Sequence, residues 1–287
     1  SSVKKLEIDE QERPTGIQLY GHIIESMVEA VKYVEEAKPD LLDINFGCPV
    51  KKIANRGAGA GMLRDIPLML EMTKAIVNAS TLPVTVKTRL GWDEESKNIV
   101  EVANLLQDQG IEAITIHGRT RNQLYKGKAD WTLIGKVKND TRIKIPVIGN
   151  GDINSPVVAK EMFDRYNVDG IMLGRATVGK PWIFQQIKSY LQNGIIPDEP
   201  LTEEKVDLAL RHFKLSLKWK GVPVGIFEMR RHFSNYFKGL PHFKELRLKL
   251  LTSLNMDEIV ETLEIIRERY KGLRYQSGGE YFLDDPA

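Results

Sequence analysis

The sequence is poor in the features that define several protein classes. Cys48 is the single cysteine among 287 residues, so an internal disulfide is excluded and a cysteine zinc cluster has too few ligands. No apolar run approaches the roughly 20 residues that span a bilayer, and residue 1 is not followed by a secretory signal. We therefore expect a cytoplasmic monomer with neither a membrane nor a metal as partner.

Two common catalytic patterns are also missing. No strand-like segment is followed by the G-x-G-x-x-G fingerprint, which argues against a resident NAD-binding domain. The serine and histidine positions offer no recognisable hydrolase triad. Any catalysis is therefore expected to depend on another arrangement of side chains.

The net charge of +2 conceals an uneven distribution. Residues 205–250 contain 11 Lys and Arg against three acids, a local charge of +8, so the remainder carries −6. A basic segment of this kind suggests an anionic partner larger than a metabolite. A well-solvated helical face would account for the charge equally well.

Short β-branched runs alternate with helical stretches up to residue 182. Six strands are predicted, at residues 16–20, 41–46, 84–89, 113–117, 146–149 and 170–174. The alternation is typical of parallel βαβ units and predicts a TIM (β/α)8-type barrel. Because the residues show six units and the first strand lies close to residue 1, we expect the N-terminal strands of the barrel to be missing. An open six-stranded α/β sheet is the structural alternative.

The pattern changes after the sixth strand, where the turn-rich stretch 194–200 reads as a linker. Thr202 is expected to cap the next helix, the first of a small all-α domain. The predicted organisation is a catalytic barrel at 1–193, a linker at 194–200, a helical domain at 201–271 and a flexible tail at 272–287.

Polar residues stand at the carboxyl ends of the predicted strands, where βα barrels place their reactive groups. They are Gln18, Asn45, Cys48, Lys87, Arg89, His117, Arg119, Asn150, Asp152 and Arg175. Burying an unpaired ammonium costs several kcal/mol, so a purely structural barrel has little use for Lys87. Each residue alone could be a satisfied structural group, but together they predict one shared ligand site.

Two glycine-bearing loops, 149–152 and 174–175, follow the fifth and sixth predicted strands. Glycines let backbone amides approach an anion, and the last strands of such barrels commonly hold a phosphate. Arg175 would add a bidentate contact. A phosphate site together with Lys87 suits FMN, whose N1/O2 edge the ammonium would face. Two tight βα turns are the simpler alternative.

Cys48 follows a strand end and precedes the glycine-rich stretch 56–61. A cysteine thiol carries its proton at neutral pH in water and can therefore act as a general acid. A lone cysteine is also common as a small buried apolar residue. The adjacent Pro49, the basic pair Lys51 and Lys52, and the glycines favour a mobile catalytic loop.

Six motifs, in this order, resemble the tRNA-dihydrouridine synthases. They are DINFGCP at 43–49, GAGAG at 57–61, VKTR at 86–89, IHGRT at 116–120, NGD at 150–152 and LGR at 173–175. The resemblance runs from about residue 15 to about residue 270. EMRRH at 228–232 resembles the bacterial B-type branch. The Pro-Met-rich flavin-binding turn that closes the family's first strand has no match here.

The resemblance implies reduction of a D-loop uridine of tRNA to 5,6-dihydrouridine, with FMN in the barrel and NADPH as external reductant. Cys48 would protonate the uracil that receives hydride from flavin N5. The expected FMN contacts are Gln18, Lys87, His117, Asn150, Gly151, Asp152, Gly174 and Arg175. The expected substrate and tRNA contacts are Asn45, Lys51, Arg89, Arg119, Arg230, Arg231 and Lys238.

Two other functions are compatible with parts of the sequence. Another FMN barrel, of the dihydroorotate-dehydrogenase type, would reduce a free pyrimidine or an enone and would not need the +8 segment. A non-catalytic RNA-binding protein on a decayed barrel would not need Cys48 and Lys87. Bound flavin would separate this last possibility from the two enzymes.

Overall fold

The computed structural model describes residues 6–275 and 281–283. The chain divides into two compact units. The βα unit comprises Ser1–Ile153 and Val158–Leu173, and the helical unit comprises Asn154–Val157 and Gly174–Ala287. Among the described residues, no helix combines the length and the apolar character needed to cross a membrane.

The βα unit is built on a parallel sheet whose strands pair in chain order. The strands are β1 (Gly16–Leu19), β2 (Leu41–Asn45), β3 (Val84–Arg89), β4 (Ala113–His117), β5 (Val147–Asn150) and β6 (Gly170–Met172). Parallel neighbours require a crossover between them. All six predicted strands are present, with ends shifted by at most two residues. The α/β class, with a parallel six-stranded sheet and a helical part after it, is confirmed.

Helices connect these strands. They are α1 (Ile24–Glu36), α2 (Lys51–Ala54), α3 (Ile66–Ala79), α4 (Ile99–Asp108), α5 (Thr132–Lys138) and α6 (Pro156–Tyr166). At the start of α3 the Asp65 carboxylate accepts from the Leu68 N–H at 3.1 Å, which satisfies a donor that has no partner within the helix. Strand residues such as Leu42, Ile44 and Ile116 are completely buried beneath the helices.

The helical unit contains five α-helices among the described residues. They are α7 (Ile183–Asn193), α8 (Thr202–Lys220), α9 (Val224–Tyr236), α10 (Lys244–Thr252) and α11 (Met256–Arg269). The apolar faces of α8 to α11 form one core around Phe213, Phe233 and Phe237. Helix α7, which the predicted domain boundary assigned to the barrel, groups with this unit. The predicted linker 194–200 contains no helix or strand.

The start of α8 differs from the sequence prediction. Thr202 is the first helical residue rather than the cap, and its hydroxyl donates to the Leu273 carbonyl at 2.9 Å. The Glu204 carboxylate accepts from the Leu201 N–H at 2.7 Å. Leu273 begins β7 (Leu273–Tyr275), which pairs antiparallel with β8 (Tyr281–Leu283). The expected flexible tail therefore includes a strand pair, and its residues 276–280 and 284–287 lie outside the described part.

Candidate active site

The parallel register gathers the predicted polar residues at one edge of the sheet. Asn45 lies opposite Lys87, Arg89 opposite His117, and His117 opposite Asn150. These positions are at or near the carboxyl ends of β2 to β5, the end at which barrel enzymes carry their sites. The sequence-predicted candidates of these strands therefore come together.

A chain of hydrogen bonds fixes the side chains of Asn45 and Gln18. The Asn45 amide donates to the side-chain carbonyl of Gln18 at 2.6 Å, and the Gln18 amide donates to the Asp43 carboxylate at 2.5 Å. The Thr85 hydroxyl donates to the other Asp43 oxygen at 2.6 Å. Burial raises the pKa of Asp43, although these hydrogen bonds and the charge of Lys87 act against the rise. Asp43 was overlooked in the sequence, where its position within the DINFGCP motif was the available signal.

Lys87 differs from the two arginines at this edge, because its charged group has no hydrogen-bonded partner among the described residues. Its ammonium forms no hydrogen bond or ion pair with any residue in the described part of the chain. Burial, and then the charge of Arg89, lowers the pKa of Lys87 to about 8, against the opposing influence of Asp43 and Cys48. An unpaired, half-buried ammonium fits an anionic ligand, such as the ring edge of a flavin.

The loop carrying Cys48 is held by the residue that ends β2. The Asn45 side-chain carbonyl accepts from the N–H groups of Gly47 at 2.9 Å and Cys48 at 2.8 Å. Gly59 packs against this loop with a φ of +55°, and a Cβ there would lie 2.9 Å from the Cβ of Cys48. The positive φ and the short distance both favour glycine at position 59. Because both polar atoms of the Asn45 amide are engaged, this residue positions the half-buried thiol.

The Arg89 side chain is buried rather than exposed at the surface. Its side chain donates to the Gly47 carbonyl at 2.7 Å and to the carbonyls of Thr120 and Leu124 at 3.0 Å each. Its guanidinium carbon lies 5.7 Å from the ring centre of Tyr125. Burial lowers the pKa of Arg89 to about 10, so the group stays charged at neutral pH. Arg89, expected beside the substrate, links the loops that follow β2 and β4.

Arg119 and Asp152 form an internal ion pair. Arg119 is 2% exposed, and its guanidinium contacts the Asp152 carboxylate at 2.6 Å. The same carboxylate oxygen accepts from the Ala129 N–H at 2.8 Å. Arg119 also lies 3.3 Å from Nε2 of His117. In this structure both side chains contact protein groups, and the substrate contact of Arg119 and the cofactor contact of Asp152 stay predictions.

The turn after β5 requires its glycine. Gly151 has a φ of +126°, and a Cβ on it would lie 2.7 Å from the Cβ of Ala129. Its carbonyl accepts from the Trp131 indole N–H at 3.1 Å. The Asn150 amide donates to the Met172 carbonyl at 2.7 Å, which ties β5 to β6. The half-buried Gly151 thus lies close to Ala129 and His117, where a side chain would not fit.

A cleft of about 440 Å³ opens beside the Cys48 loop. It is lined by residues that follow β1 and by the loop after β2, namely Tyr20, Gly21, His22, Val50, Lys52, Ile53, Arg56 and Ala58. Lys51, a predicted substrate contact, is exposed next to this lining. Tyr20 and His22 were missed in the sequence, although they directly follow a strand end.

The remaining predicted contacts belong to the helical unit. Gly174 precedes a 3-10 turn, Arg175–Thr177, and their phosphate contact stays a prediction. The Arg230 guanidinium lies over the ring of Phe227 at 4.8 Å and donates to the Thr252 carbonyl at 3.3 Å. Arg231 and Lys238 are exposed, and neither forms an ion pair with another described residue. The two exposed residues are the more accessible to a partner.

A parallel α/β sheet with cations, a thiol and amides at its carboxyl edge is the arrangement in which α/β enzymes carry their sites. A family model described as dihydrouridine synthase matches residues 1–271. The chain belongs to the dihydrouridine synthase family.

Two relatives named tRNA-dihydrouridine synthase agree with this membership. The chain is 40% identical over 231 residues to a probable tRNA-dihydrouridine synthase of Rickettsia bellii, covering 80% of this chain and 70% of the relative. It is 38% identical over 249 residues to tRNA-dihydrouridine synthase B of Pseudomonas putida, covering 87% and 73%. A solved structure of a morphinone reductase mutant with tetrahydroNAD is similar at a TM-score of 0.43 and 15% identity, over 63% of this chain and 50% of that one.

Proposed function

We propose that this protein reduces a D-loop uridine of tRNA to 5,6-dihydrouridine, with FMN as its cofactor and NADPH as the external reductant. The observation that supports this most is the pairing of an unpartnered, half-buried Lys87 with a half-buried Cys48 at one sheet edge. The relatives' names supply the substrate, since they are called tRNA-dihydrouridine synthases.

The residues at the sheet edge are suited to hold FMN. Lys87 offers positive charge and His117 a ring nitrogen. Gln18, Asn150, Gly151 and Asp152 complete the proposed set in the βα unit, with Gln18 and Asp152 acting through the neighbours that they orient. When bound, FMN supplies the hydride that C6 of the uracil accepts.

Cys48 is the proposed general acid. Saturating the C5–C6 double bond requires one hydride at C6 and one proton at C5, and the Cys48 thiol donates that proton. Asn45 fixes the backbone of the Cys48 loop, and Arg89 holds the Gly47 carbonyl, so both control where the thiol lies. The thiolate left behind regains its proton from solvent through the half-buried position of Cys48.

tRNA is the proposed partner of the helical unit. A uridine stacked in folded RNA has to be extruded before it can react, at a cost of a few kcal/mol. Phosphate contacts from exposed cations offset such a cost. Arg211, Lys214, Arg231, Lys238 and Lys244 are exposed, and none forms an ion pair with the described residues. The proposed enzyme is a cytoplasmic monomer, a state that its native mass would test.

The function is tested with purified protein, FMN, NADPH and an unmodified tRNA transcript. We expect flavin to bind, NADPH to reduce it, and the transcript to gain the mass of two hydrogens at one D-loop uridine. Free uridine, orotate and a simple enone serve as competing substrates. Reduction of one of these, with tRNA unchanged, would favour the free-pyrimidine reductase. RNA binding without any flavin binding would favour the non-catalytic alternative.

A further inference from the structure

The guanidinium of Arg119 is immobilised from several sides. Nε donates to the Lys126 carbonyl at 3.2 Å, and Nη2 donates to the Gly127 carbonyl and to the Asp152 carboxylate, both at 2.6 Å. The side chain is 2% exposed. Its plane is therefore fixed by the loop after β4 on one side and by the turn after β5 on the other.

The remaining terminal nitrogen faces an imidazole. Nη1 of Arg119 lies 3.3 Å from Nε2 of His117. A guanidinium has N–H donors, carries no acceptor and does not lose its proton in proteins. Nε2 of His117 must therefore be the acceptor, which places the proton of the neutral ring on Nδ1.

The surroundings keep this ring uncharged. His117 is 5% exposed, and burial followed by the charges of Arg89, Lys87 and Arg119 lowers the pKa of His117 to about 3. The Asp152 carboxylate opposes this effect but is already paired with Arg119. The imidazole is thus neutral throughout the physiological pH range.

Nδ1 is the ring atom that the protein leaves for another partner. Within residues 6–275 and 281–283, no group forms a hydrogen bond with Nδ1 of His117. Across the ring, the backbone of Gly151 comes so close that a Cβ there would lie 3.1 Å from Cδ2. The ring is therefore held on its Nε2 side and presents an N–H on the other.

We propose that Arg119 is a positioning residue that fixes His117 as the neutral Nδ1–H tautomer, so that the imidazole donates a hydrogen bond to an acceptor atom of the bound ligand. That the ligand is FMN rests on the proposed function. This role differs from the substrate contact expected of Arg119, because its donors are directed to protein acceptors.

The tautomer can be read directly by 15N NMR of histidine-labelled protein without ligand. The five histidines are separated by comparison with His117→Gln. We expect a protonated Nδ1 and an unprotonated Nε2, the latter far downfield, with no change between about pH 6 and 8. A wild-type ring that is protonated at Nε2, or at both nitrogens, would overturn the proposal whether or not any variant folds.

Arg119→Met tests the cause. We expect the His117 ring to shift toward the Nε2–H form that free imidazole side chains prefer in water, and FMN to bind roughly 3- to 10-fold more weakly, the effect of one neutral hydrogen bond. Arg142→Met, which removes an exposed arginine of the same unit, is the matched control and should change neither. A folded Arg119→Met with the wild-type tautomer would refute the proposal. Failure of wild type to bind FMN would instead count against the proposed function.

Discussion

Lys87, Arg89 and Arg119 lie at one edge of the sheet, yet they are held in different ways. The two arginines donate to backbone carbonyls of the loops after β2 and β4, and Arg119 also meets Asp152. Lys87 has no such partner among the described residues. A planar guanidinium can donate to several fixed acceptors at once, whereas an ammonium is a compact charge on a flexible side chain. Among the described residues, the two arginines are thus held by protein groups, whereas the Lys87 ammonium is not.

The lowered pKa of Lys87 leads to a pH-dependent cofactor affinity. Because the free ammonium is charged below pH 8 and loses its charge above it, affinity for anionic FMN should fall as pH rises through about 8. Lys87→Met should bind FMN roughly 10- to 100-fold more weakly at neutral pH, with a flatter pH dependence. Titrations of flavin fluorescence over this range measure both. Parallel curves for the two proteins would remove Lys87 from the flavin site.

Cys48→Ala should separate cofactor binding from proton donation. FMN content and reduction by NADPH should stay normal, because the Cys48 backbone contacts with Asn45 and Ala60 do not use the thiol. Reoxidation of the reduced enzyme by tRNA should slow by roughly 100- to 10,000-fold, the usual contribution of a general acid. Single-turnover kinetics measure this step. Wild-type rates in the variant would exclude the thiol from the reaction.

At the scale of elements, the loops at the carboxyl edge are joined by a stack of three side chains. Trp92, after β3, has the Arg64 guanidinium 4.3 Å from its ring centre and the Arg121 guanidinium 4.5 Å from it. Arg64 belongs to the segment after β2, and Arg121 to the loop after β4. The Asn122 N–H also donates to the Trp92 carbonyl at 2.9 Å. The segments after β2, β3 and β4 are thus connected through Trp92.

Trp92→Ala should therefore loosen these loops together. We expect a loss of about 2 kcal/mol in the free energy of unfolding, from two cation–π contacts and the packing of the ring. Trp92→Phe keeps an aromatic face and should lose less than half of that. Urea unfolding of the three proteins makes the comparison. If the alanine and phenylalanine variants lose the same stability, an aromatic face at this position does not stabilise the loops, and the proposed role of the stack is wrong.

At the scale of the whole molecule, the charge asymmetry is the feature with the clearest consequence. The basic segment 205–250 lies in α8, α9 and α10. The apolar residues of these helices pack in the shared core of the helical unit. Arg230, which was expected to contact tRNA, lies over Phe227 and bonds to Thr252, so it also serves the fold. Arg231 and Lys238 carry exposed charges and are the better probes of an RNA surface.

The double variant Arg231→Glu with Lys238→Glu should bind tRNA more weakly. If both residues contact phosphates, the slope of log affinity against log salt should become shallower by about two, because fewer counterions are released. FMN content should stay normal. The matched control reverses Lys32 and Lys74, exposed residues of α1 and α3 in the βα unit. An equal loss of tRNA affinity in both double variants would indicate an effect of net charge rather than of a specific RNA-binding surface.

The amino-acid sequence by itself determined the strands and their order, because apolar β-branched runs and turn residues are local signals. It also predicted that the polar residues Asn45, Lys87 and His117 lie at one edge of the sheet, as the strand register shows. The six motifs determined the family, which the family model confirms.

The tertiary structure decided what each of these side chains is free to do. The engagement of Arg89, the Arg119–Asp152 pair and the chain from Asn45 through Gln18 to Asp43 all join residues 25 or more positions apart. The grouping of α7 with the helical unit is likewise a matter of packing. Hydrogen-bond partners and burial depend on what lies adjacent in space, and local periodicity carries no information about that. For this reason residue type predicted the site, while the fold decided which of its side chains have protein partners.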